Sequence, residues 1–388
     1  MLVAAPGAAA ADATGLSHLC LVGPLAPPAA GMANQCAELA RLLRAQGLQV
    51  ELVQTNPAYR PHWVARVAGL RALCRLLPFV WRLWRALGRC EVVHVLANSG
   101  WAWHLFAAPA LVLARLRRRP AIVHYHGGNA QAFLARAPCG AHRLLAGSAL
   151  RVLPSAYLQR VFARHGLQAE VIPNGLDLDR FAPRRTTLAQ PMAEGPMQLL
   201  VSRNLEPIYG IDTAIRAFAR VHARLPGARL VIAGGGSQHA ALQALVTQLQ
   251  LGAVVHFAGR IAHHAMPALL AQTTCLLNPS RVDNMPVSIL EAFACGVPVV
   301  STRAGGIPDM LQHGHTGLLV DVDDEAAMAA QLLRVLQDTA LARRLGQAGR
   351  AQAEQYAWAR VKPLWLAAYQ RALGQPVGSS GCAARALP

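Results

Sequence analysis

The chain has 388 residues, of which 54% are hydrophobic and 14% are charged, and its formal net charge is +18. The length suggests two or three domains, and the composition excludes an intrinsically disordered chain. The excess of basic residues favours anionic partners, which are phosphates, an anionic membrane surface or nucleic acid.

The eight cysteines and the chain ends carry few signals. No two cysteines have CxxC spacing, so we expect buried thiols in a reducing compartment, and neither a disulfide framework nor a zinc site. Residues 1–15 and 375–388 predict disordered tails. The longest apolar stretch, around Trp101–Leu113, is shorter than the ~20 residues that a spanning helix needs. We therefore expect no transmembrane segment.

In the first half, short apolar runs alternate with longer segments of helical period. The predicted strands are His18–Val22, Gln49–Val53, Val92–Leu96, Ala121–Tyr125, Leu150–Leu153 and Glu170–Ile172. The helical segments are Met32–Ala45, His62–Leu87 with an interruption at Pro78, Trp101–Leu116 and Tyr157–His165. Residues 183–196 contain three prolines and no apolar periodicity, which predicts a linker.

The same alternation restarts after the linker. The predicted strands are Gln198–Val201, Arg229–Ala233, Val254–Phe257, Cys275–Leu277 and Pro298–Ser301, and the helices are Asp212–Leu225, Gln238–Gln250, His263–Ala271 and Ile289–Ala294. Alternating strands and helices predict parallel sheets with helices on both faces. The sequence therefore predicts an α/β protein with two Rossmann-like doubly wound domains, 16–182 and 197–357, facing each other across a cleft. Ligands should bind at the carboxyl ends of the strands.

The most informative stretch is Arg281–Ser301, RVDNMPVSILEAFACGVPVVS. Asp283 follows a predicted strand, and Glu291 lies eight residues later in the next helix. The N–H groups at a helix start suit a phosphate, and two carboxylates suit sugar hydroxyls. Alternatively, Ser288 and Glu291 form a capping box that only satisfies the start of the helix. The local sequence leaves both interpretations open.

This stretch resembles the retaining glycosyltransferase family 4, whose fold is GT-B. That family has an acidic residue, seven residues and then Glu, followed by E-A-x-A-x-G-x-P-V-V, and residues 283–300 match this pattern. The resemblance implies that Asp283 contacts the donor hexose and that Glu291 holds the ribose hydroxyls. Backbone contacts to the sugar and the diphosphate are implied for Met285, Val287 and Ser288. The family more often has Glu where this chain has Asp283.

A basic residue after the first strand of the second half extends the resemblance. Arg203 matches the family's phosphate-binding arginine, and a planar guanidinium can hold a diphosphate with two hydrogen bonds. The alternative is a surface arginine at a strand end. Six residues later the family usually has Lys beside a Gly, but this chain has Tyr209 before Gly210. This departure removes a cation from the expected leaving group.

Two glycine-containing loops in the second half also match the family. Gly234 begins a run of three glycines after a strand, and Arg260 lies in the loop after the next strand, where the family holds the donor. As a dinucleotide fingerprint the glycine run fails at His239, so NAD binding is not indicated. Asn174–Gly175 also matches the family, and we interpret it as a structural turn with positive φ.

Three residues of the first half are candidates for the facing wall of the cleft. Gly31 lies in a loop that resembles the family's glycine-rich loop near the diphosphate. His126 ends a predicted strand before two glycines and matches a histidine at the floor of the family's cleft, although a single histidine is more often structural. Asn98 follows a strand at the same edge and is a candidate acceptor residue. His124 lies deeper in the strand and is expected to be buried.

A basic region precedes the third predicted strand. Arg60–Arg89 contains seven Arg, three Trp and no acidic residue. Such a region can dock on an anionic membrane, or its helices can simply pack on the sheet with solvated arginines. The chain has no basic–aromatic RNA motif and no recognition helix, so no nucleic-acid partner is expected. Residues 358–374 predict a helix that crosses back to the first domain, or an ordinary terminal helix.

The resemblance implies retaining transfer of a hexose-type sugar. The donor would be a nucleotide-diphosphate sugar and the acceptor a glycan or lipid-linked molecule, as in surface polysaccharide biosynthesis. The catalytic candidates are His126, Arg203 and Asp283, with no cofactor and no metal. The alternative is a non-catalytic protein of the same fold that binds nucleotide sugars or glycans. We expect the protein in the cytoplasm, or peripheral on the inner face of the membrane.

Overall fold

The computed structural model describes residues 15–27, 31–59, 67–136, 139–182 and 197–374. The predicted linker and, apart from Gly15, the predicted tails lie outside the described residues. Two six-stranded sheets organise the described chain, one in each half, and all paired strands are parallel. The predicted α/β class with two Rossmann-like halves is therefore confirmed.

The first sheet has the strand order β2-β1-β3-β4-β5-β6. Its strands are β1 (His18–Gly23), β2 (Gln49–Gln54), β3 (Val92–Ala97), β4 (Ala121–Tyr125), β5 (Leu150–Leu153) and β6 (Glu170–Val171). The winding direction reverses between β1 and β3. The loops that leave these two strands therefore run in opposite directions and open a crevice at the carboxyl edge.

Helices cover both faces of this sheet. They are α1 (Gly31–Arg44), α2 (Ala68–Leu87), α3 (Ala108–Leu116), α4 (Ala130–Arg136), α5 (Cys139–Ala146) and α6 (Ala156–Arg164). The predicted helix over Trp101–Leu116 is a π-helical turn, Trp103–Ala107, that continues into α3. Two apolar clusters fill the space between these helices and the strands, one on each face of the sheet.

The predicted interruption of a helix at Pro78 is wrong. Helix α2 runs through Pro78 without a break, although proline lacks the N–H that would bond to the preceding turn. Pro78 lies on the exposed side of the helix. The opposite side buries Phe79 and Leu83 against the sheet, and this packing holds the helix together across the missing hydrogen bond.

The second sheet has the strand order β12-β11-β10-β7-β8-β9. Its strands are β7 (Gln198–Ser202), β8 (Arg229–Ala233), β9 (Val255–Gly259), β10 (Cys275–Asn278), β11 (Val299–Thr302) and β12 (Leu318–Val320). This is the strand order of a dinucleotide-binding Rossmann sheet, in which the first and fourth strands lie side by side. Its switch point lies between β7 and β10, so the loops after these strands should border a ligand.

The helices of the second half complete two apolar layers around this sheet. They are α7 (Ile211–Arg224), α8 (His239–Gln248), α9 (Met266–Leu270), α10 (Val287–Ala294), α11 (Ile307–Met310), α12 (Glu325–Gln337) and α13 (Thr339–Ala353). Short 3-10 turns lie at Pro207–Tyr209, where the sequence predicted no element, and at His263–Ala265, where it predicted the start of a helix. Both turns lie on the carboxyl side of the sheet.

The last helix, α14 (Trp358–Ala372), packs on the first sheet. Val361, Trp365 and Tyr369 share one buried cluster with Leu16 and Leu19, which flank or lie in β1. Immediately before the helix, the backbone pairs with the segment that follows β6, through the N–H of Trp358 and the carbonyl of Leu176 at 2.9 Å. The chain therefore passes from the first half to the second and back again.

Candidate active site

A cleft of about 710 Å³ lies between the carboxyl edges of the two sheets. Every site residue predicted from the sequence lines its wall. The first half contributes Gly31, Asn98 and His126, and the second half contributes Arg203, Tyr209, Gly234, Arg260, Asp283, Met285, Val287, Ser288 and Glu291. Residues that are distant in sequence thus face one space, whose volume lies in the range of small-molecule binding sites.

The switch point of the second sheet carries a pair of opposite charges. Arg203 directly follows β7, and Asp283 lies in the loop after β10. The Nη2 of Arg203 donates to Oδ2 of Asp283. Asp283 also accepts from the Ser280 hydroxyl and from the Asn284 backbone N–H, each at 2.9 Å. These bonds fix the carboxylate at the edge where doubly wound sheets bind their ligands.

The aromatic ring of Tyr209 packs against the guanidinium of Arg203. The guanidinium carbon lies 4.3 Å from the ring centroid, which is within cation–π distance. The next residue, Gly210, has φ of 59°, and a side chain there would collide with the Pro279 carbonyl. Glycine therefore lets this turn approach the loop after β10. Tyr209 lies where the resembled family usually has a lysine, and in the structure its ring contacts Arg203.

The predicted capping box at the start of α10 does not form. The helix begins at Val287, its N-cap is Pro286, and no side chain caps it. The Ser288 hydroxyl is buried and has no hydrogen-bond partner among the described residues. Because the first N–H groups of a helix lack helical acceptors, this end of α10 presents donors to the cleft.

Glu291 pairs across the cleft wall with a histidine that the sequence did not single out. The Nε2 of His263 donates to Oε1 of Glu291 at 2.9 Å, and the Glu291 side chain is buried. His263 lies in the 3-10 turn after β9, where the sequence predicted the start of a helix. Its spacing from Glu291 carries no signal, because the two residues meet only through the fold.

His126 lies at the carboxyl end of β4, on the wall that faces Asp283. Burial lowers the pKa of His126 to about 4, so its ring is neutral at physiological pH. A neutral imidazole can donate one hydrogen bond and accept another. Its Nε2 is buried without a partner among the described residues. His126 thus lines the cleft with a neutral ring whose Nε2 is not used by the described part of the fold.

Two buried histidines lie behind His126. The ring centroids of His124 and His126 are 4.0 Å apart, and Nδ1 of His124 lies 3.3 Å from Nε2 of His94. The chain of polar contacts ends at Tyr369 on α14, whose hydroxyl lies 2.9 Å from Nδ1 of His94. Trp365 packs on both buried rings. Helix α14 therefore supports the floor of the cleft from below.

These buried histidines predict a loss of stability in acid. Burial lowers the pKa of His94 to about 3 and lowers that of His124 well below its usual value. Both titrate near ~6.5 in the unfolded chain, which therefore binds more protons than the folded protein below that pH. We expect the free energy of unfolding to fall by up to about 1.4 kcal/mol per pH unit for each histidine, from about pH 6 downwards.

Urea unfolding at about pH 7.5 and about pH 5.5 measures this effect, and a His94→Gln variant should show a weaker pH dependence. Equal free energies of unfolding at the two pH values would contradict the expectation. Between these values most carboxylates stay ionised, so they contribute little to the difference.

Asn174 and Asn284 are two of the cleft-wall asparagines that the sequence did not predict as site residues. Asn174 was interpreted as part of a turn with positive φ, which is wrong, because neither Asn174 nor Gly175 has positive φ. The Oδ1 of Asn174 is buried in the wall and has no partner among the described residues. Asn284 bonds to the Ser155 hydroxyl of the first half. This contact joins the two halves beside Asp283.

Two family profiles match the chain, one in each half. Glycosyltransferase Family 4 matches residues 29–180, and Glycosyl transferases group 1 matches residues 187–352. The chain belongs to this glycosyltransferase family. The predicted membership of glycosyltransferase family 4 is thereby confirmed.

The curated relatives of this chain match it over part of their length. A GDP-mannose-dependent alpha-(1-6)-phosphatidylinositol monomannoside mannosyltransferase of Mycobacterium tuberculosis is 36% identical over 196 residues, 47% of this chain and 50% of the relative. The N-acetyl-alpha-D-glucosaminyl L-malate synthase of Bacillus anthracis is 33% identical over 159 residues, 41% of each chain. The chain thus spans about half the length, or less, of these relatives.

Solved structures of similar shape cover about nine-tenths of this chain. Sucrose-phosphate synthase from Thermosynechococcus elongatus has a TM-score of 0.72 at 21% identity and covers 90% of this chain and 97% of its own. Anabaena HepE, solved in complex with UDP-glucose, has a TM-score of 0.69 at 21% identity and covers 90% and 98%. These similarities show the fold, and the predicted GT-B architecture is confirmed.

Proposed function

We propose that the protein is a retaining, metal-independent glycosyltransferase that moves a hexose-type sugar from a nucleotide-diphosphate donor to a glycan or lipid-linked acceptor. The observation that carries the proposal is the position of Arg203 and Asp283. They lie at the switch point of a Rossmann sheet, in a cleft whose opposite wall presents His126. A phosphate-binding cation, a carboxylate for hydroxyls and a neutral imidazole are the groups that sugar transfer from a diphosphate needs.

The donor is proposed to lie along the second half of the cleft. Its diphosphate would lie against Arg203 and the N–H groups at the start of α10, including those of Val287 and Ser288. Glu291, oriented by His263, would accept hydrogen bonds from the ribose hydroxyls. Gly234 and Arg260, which line the same part of the chain's cleft wall, would border the nucleoside. The names of the relatives support a nucleotide-sugar donor, since one is GDP-mannose-dependent and HepE was solved with UDP-glucose.

The hexose would lie between Asp283 and His126. As the glycosidic bond breaks, negative charge develops on the leaving diphosphate, and Arg203 with the α10 N–H groups would stabilise it. Only the Nη2 of Arg203 bonds to Asp283, so its other N–H groups would be free to donate to the diphosphate while the ion pair persists. The second oxygen of Asp283 would accept from sugar hydroxyls. The retaining outcome follows the family resemblance.

The acceptor is proposed to approach along the first half of the cleft, past Asn98. A role in surface polysaccharide biosynthesis, with the protein in the cytoplasm or on the inner face of the membrane, fits a glycan or lipid-linked acceptor. Gly31 would let the backbone of the same half approach the donor diphosphate, since among the described residues nothing lies within 4 Å of a Cβ added there.

A thermal-shift screen of nucleotide sugars, followed by a donor-hydrolysis assay on the best ligand, tests the proposal. A ligand that binds only the folded state raises the melting temperature, and at about 100 times its dissociation constant it stabilises by about 2.7 kcal/mol. Slow release of the nucleoside diphosphate would support catalysis. Binding without any release would favour the alternative, a non-catalytic binding protein in which Tyr209 and Asp283 have replaced groups needed for turnover.

Chelation provides a separate prediction. We expect the rate of donor hydrolysis to stay unchanged in excess EDTA, because Arg203 and the start of α10 supply the positive potential that a metal ion would otherwise supply. The measurement compares initial rates with and without chelator after metal has been stripped from the protein. A large loss that magnesium or manganese restores would refute metal independence.

A further inference from the structure

Helix α2 exposes an apolar stripe that the fold does not cover. Leu73, Leu77, Trp81 and Trp84 follow one another at intervals of four, four and three residues, so they lie along one side of the helix. Their exposed fractions are 50%, 59%, 58% and 39%. We call these four residues the apolar stripe. The sheet-facing side of α2 buries Phe79 and other residues, so packing on the sheet does not account for the stripe.

Arginine side chains flank the apolar stripe and contact its aromatic rings. The guanidinium carbon of Arg85 lies 4.9 Å from the ring centroid of Trp81, and that of Arg117 lies 3.7 Å from Trp84. Arg82 is exposed beside them. Neither α2 nor α3 contains an acidic residue. Helices α2 and α3 therefore combine exposed apolar and aromatic groups with positive charge only, while the partly exposed Glu51 of the neighbouring strand β2 is paired with Arg89.

We propose that the apolar stripe docks the protein on an anionic lipid bilayer. Tryptophan and leucine on one side of a helix enter the boundary between headgroups and acyl chains, and the flanking arginines meet anionic headgroups. A single-sign border fits an anionic bilayer better than a protein surface of mixed charge. Within the described ranges no helix is long and apolar enough to cross a bilayer, so the contact would be made at its surface.

The orientation of α2 places one end of the stripe near the cleft. In a parallel sheet, a crossover helix runs opposite to the strands, so α2 begins near the carboxyl edge. Arg75, in its first half, donates to the Pro57 carbonyl just after β2. Leu73 and Leu77 therefore lie toward the cleft edge. A bilayer bound there would bring a lipid-linked acceptor to the cleft; this link rests on the proposed function, whereas the docking does not.

The contacts of Arg75 decide which residues the variants should change. Its guanidinium carbon lies 3.8 Å from the Tyr59 ring centroid, and its Nε donates to the Pro57 carbonyl. Arg75 therefore stabilises the segment after β2, and it is left unchanged. Residues 60–66 lie outside the described chain, and the side chain of Arg71 is not described. The test therefore changes exposed residues of the last turns of α2: Arg82→Gln with Arg85→Gln for charge, and Leu77→Ser with Trp81→Ser for apolar contact.

Co-sedimentation with vesicles of equal parts phosphatidylcholine and phosphatidylglycerol measures docking, with pure phosphatidylcholine as the comparison. Raising the salt from about 0.1 M to about 1 M shortens the Debye length from about 10 Å to about 3 Å, so binding of the wild type should weaken at high salt. We expect the charge variant to bind anionic vesicles about 30-fold more weakly. The apolar variant should lose binding at both salt concentrations.

A matched control separates the stripe from net charge alone. Arg343→Gln with Arg344→Gln removes two exposed arginines from α13 in the other half and should bind vesicles like the wild type. Leu364→Ser removes an exposed leucine of α14 and should do the same. Equal losses in the α13 control and the charge variant would overturn the proposal, because net charge would then explain the binding.

The proposal also fails if the wild type does not pellet with anionic vesicles at low salt. It fails equally if gel filtration shows that the stripe instead closes a dimer, which the apolar variant would convert to a monomer. Donor hydrolysis, measured on the same samples, keeps the two proposals apart. Docking without hydrolysis would refute the proposed enzyme alone, and hydrolysis without docking would refute this inference alone. The charge variant, made at exposed positions, keeps the test valid should the apolar variant fail to fold.

Discussion

Arg203→Ala is expected to lower the turnover number by about 10²–10³, the usual cost of losing one preorganised donor to charge that develops in the transition state. The guanidinium already lies at the switch point of the second sheet, held by Asp283 and by the ring of Tyr209. The free energy of unfolding should change by only about 1 kcal/mol, because Asp283 keeps its bonds to Ser280 and Asn284 and borders an open cleft.

Two further variants serve as comparisons for Arg203→Ala. Arg203→Lys keeps the charge but not the planar fork, so its turnover number should fall between those of the wild type and the alanine variant. Arg343→Ala removes an exposed arginine of the same half that does not line the cleft and should leave the rate unchanged. An unchanged rate for Arg203→Ala on the correct donor would remove Arg203 from the site.

Glu291→Ala is expected to act on binding, with a rise in KM of about 10²-fold and a turnover number within a few-fold of the wild type. Hydrogen bonds to a charged group contribute about 1.5–3 kcal/mol each, and those to the ribose are made equally in the ground and transition states. Steady-state kinetics that separate KM from the turnover number check this expectation. Glu291→Gln keeps an acceptor for His263 and should show a smaller rise.

A donor without the ribose 2′-hydroxyl makes the assignment of Glu291 specific. If Glu291 binds that hydroxyl, the deoxy donor should bind the wild type weakly, and Glu291→Ala should add little further loss. This is the non-additivity expected of two groups that contact each other. Additive losses would place the carboxylate elsewhere in the cleft.

Strands and the donor motif could be predicted because their signals are local. Ala121–Tyr125 and Arg229–Ala233 are apolar runs bounded by turns, and their predicted ends agree with β4 and β8. The spacing of Asp283 and Glu291 places Asp283 on a loop and Glu291 on the next helix, and this local signal does not depend on the rest of the chain. The sequence analysis predicted no helix or strand in residues 302–357. It missed α12, although Met328 and Leu332 follow a helical period and Asp324 caps that helix.

The rest of the site depends on contacts between distant segments. No local pattern shows that His263 bonds Glu291 or that Tyr209 packs on Arg203, because these pairs form only when the loops of β7, β9 and β10 meet. The capping box failed for a related reason. Its Ser–x–x–Glu spacing is correct, but Glu291 bonds to His263 and the helix starts two residues earlier, at Val287 instead of Ile289.

Because α14 completes the core beneath the first sheet, cleaving the chain at a single position cannot separate the two halves. The first half consists of two pieces of chain, and its buried Leu19 contacts a cluster that includes Trp365 and Tyr369. A fragment that stops at the end of β6 would leave this apolar surface bare and invite aggregation. Leu16 and Leu373, which lie beside the two ends of the described chain, belong to or border this cluster. A circularly permuted chain that starts at residue 197 and joins residue 374 to residue 15 would make both halves contiguous, so that each could be produced alone.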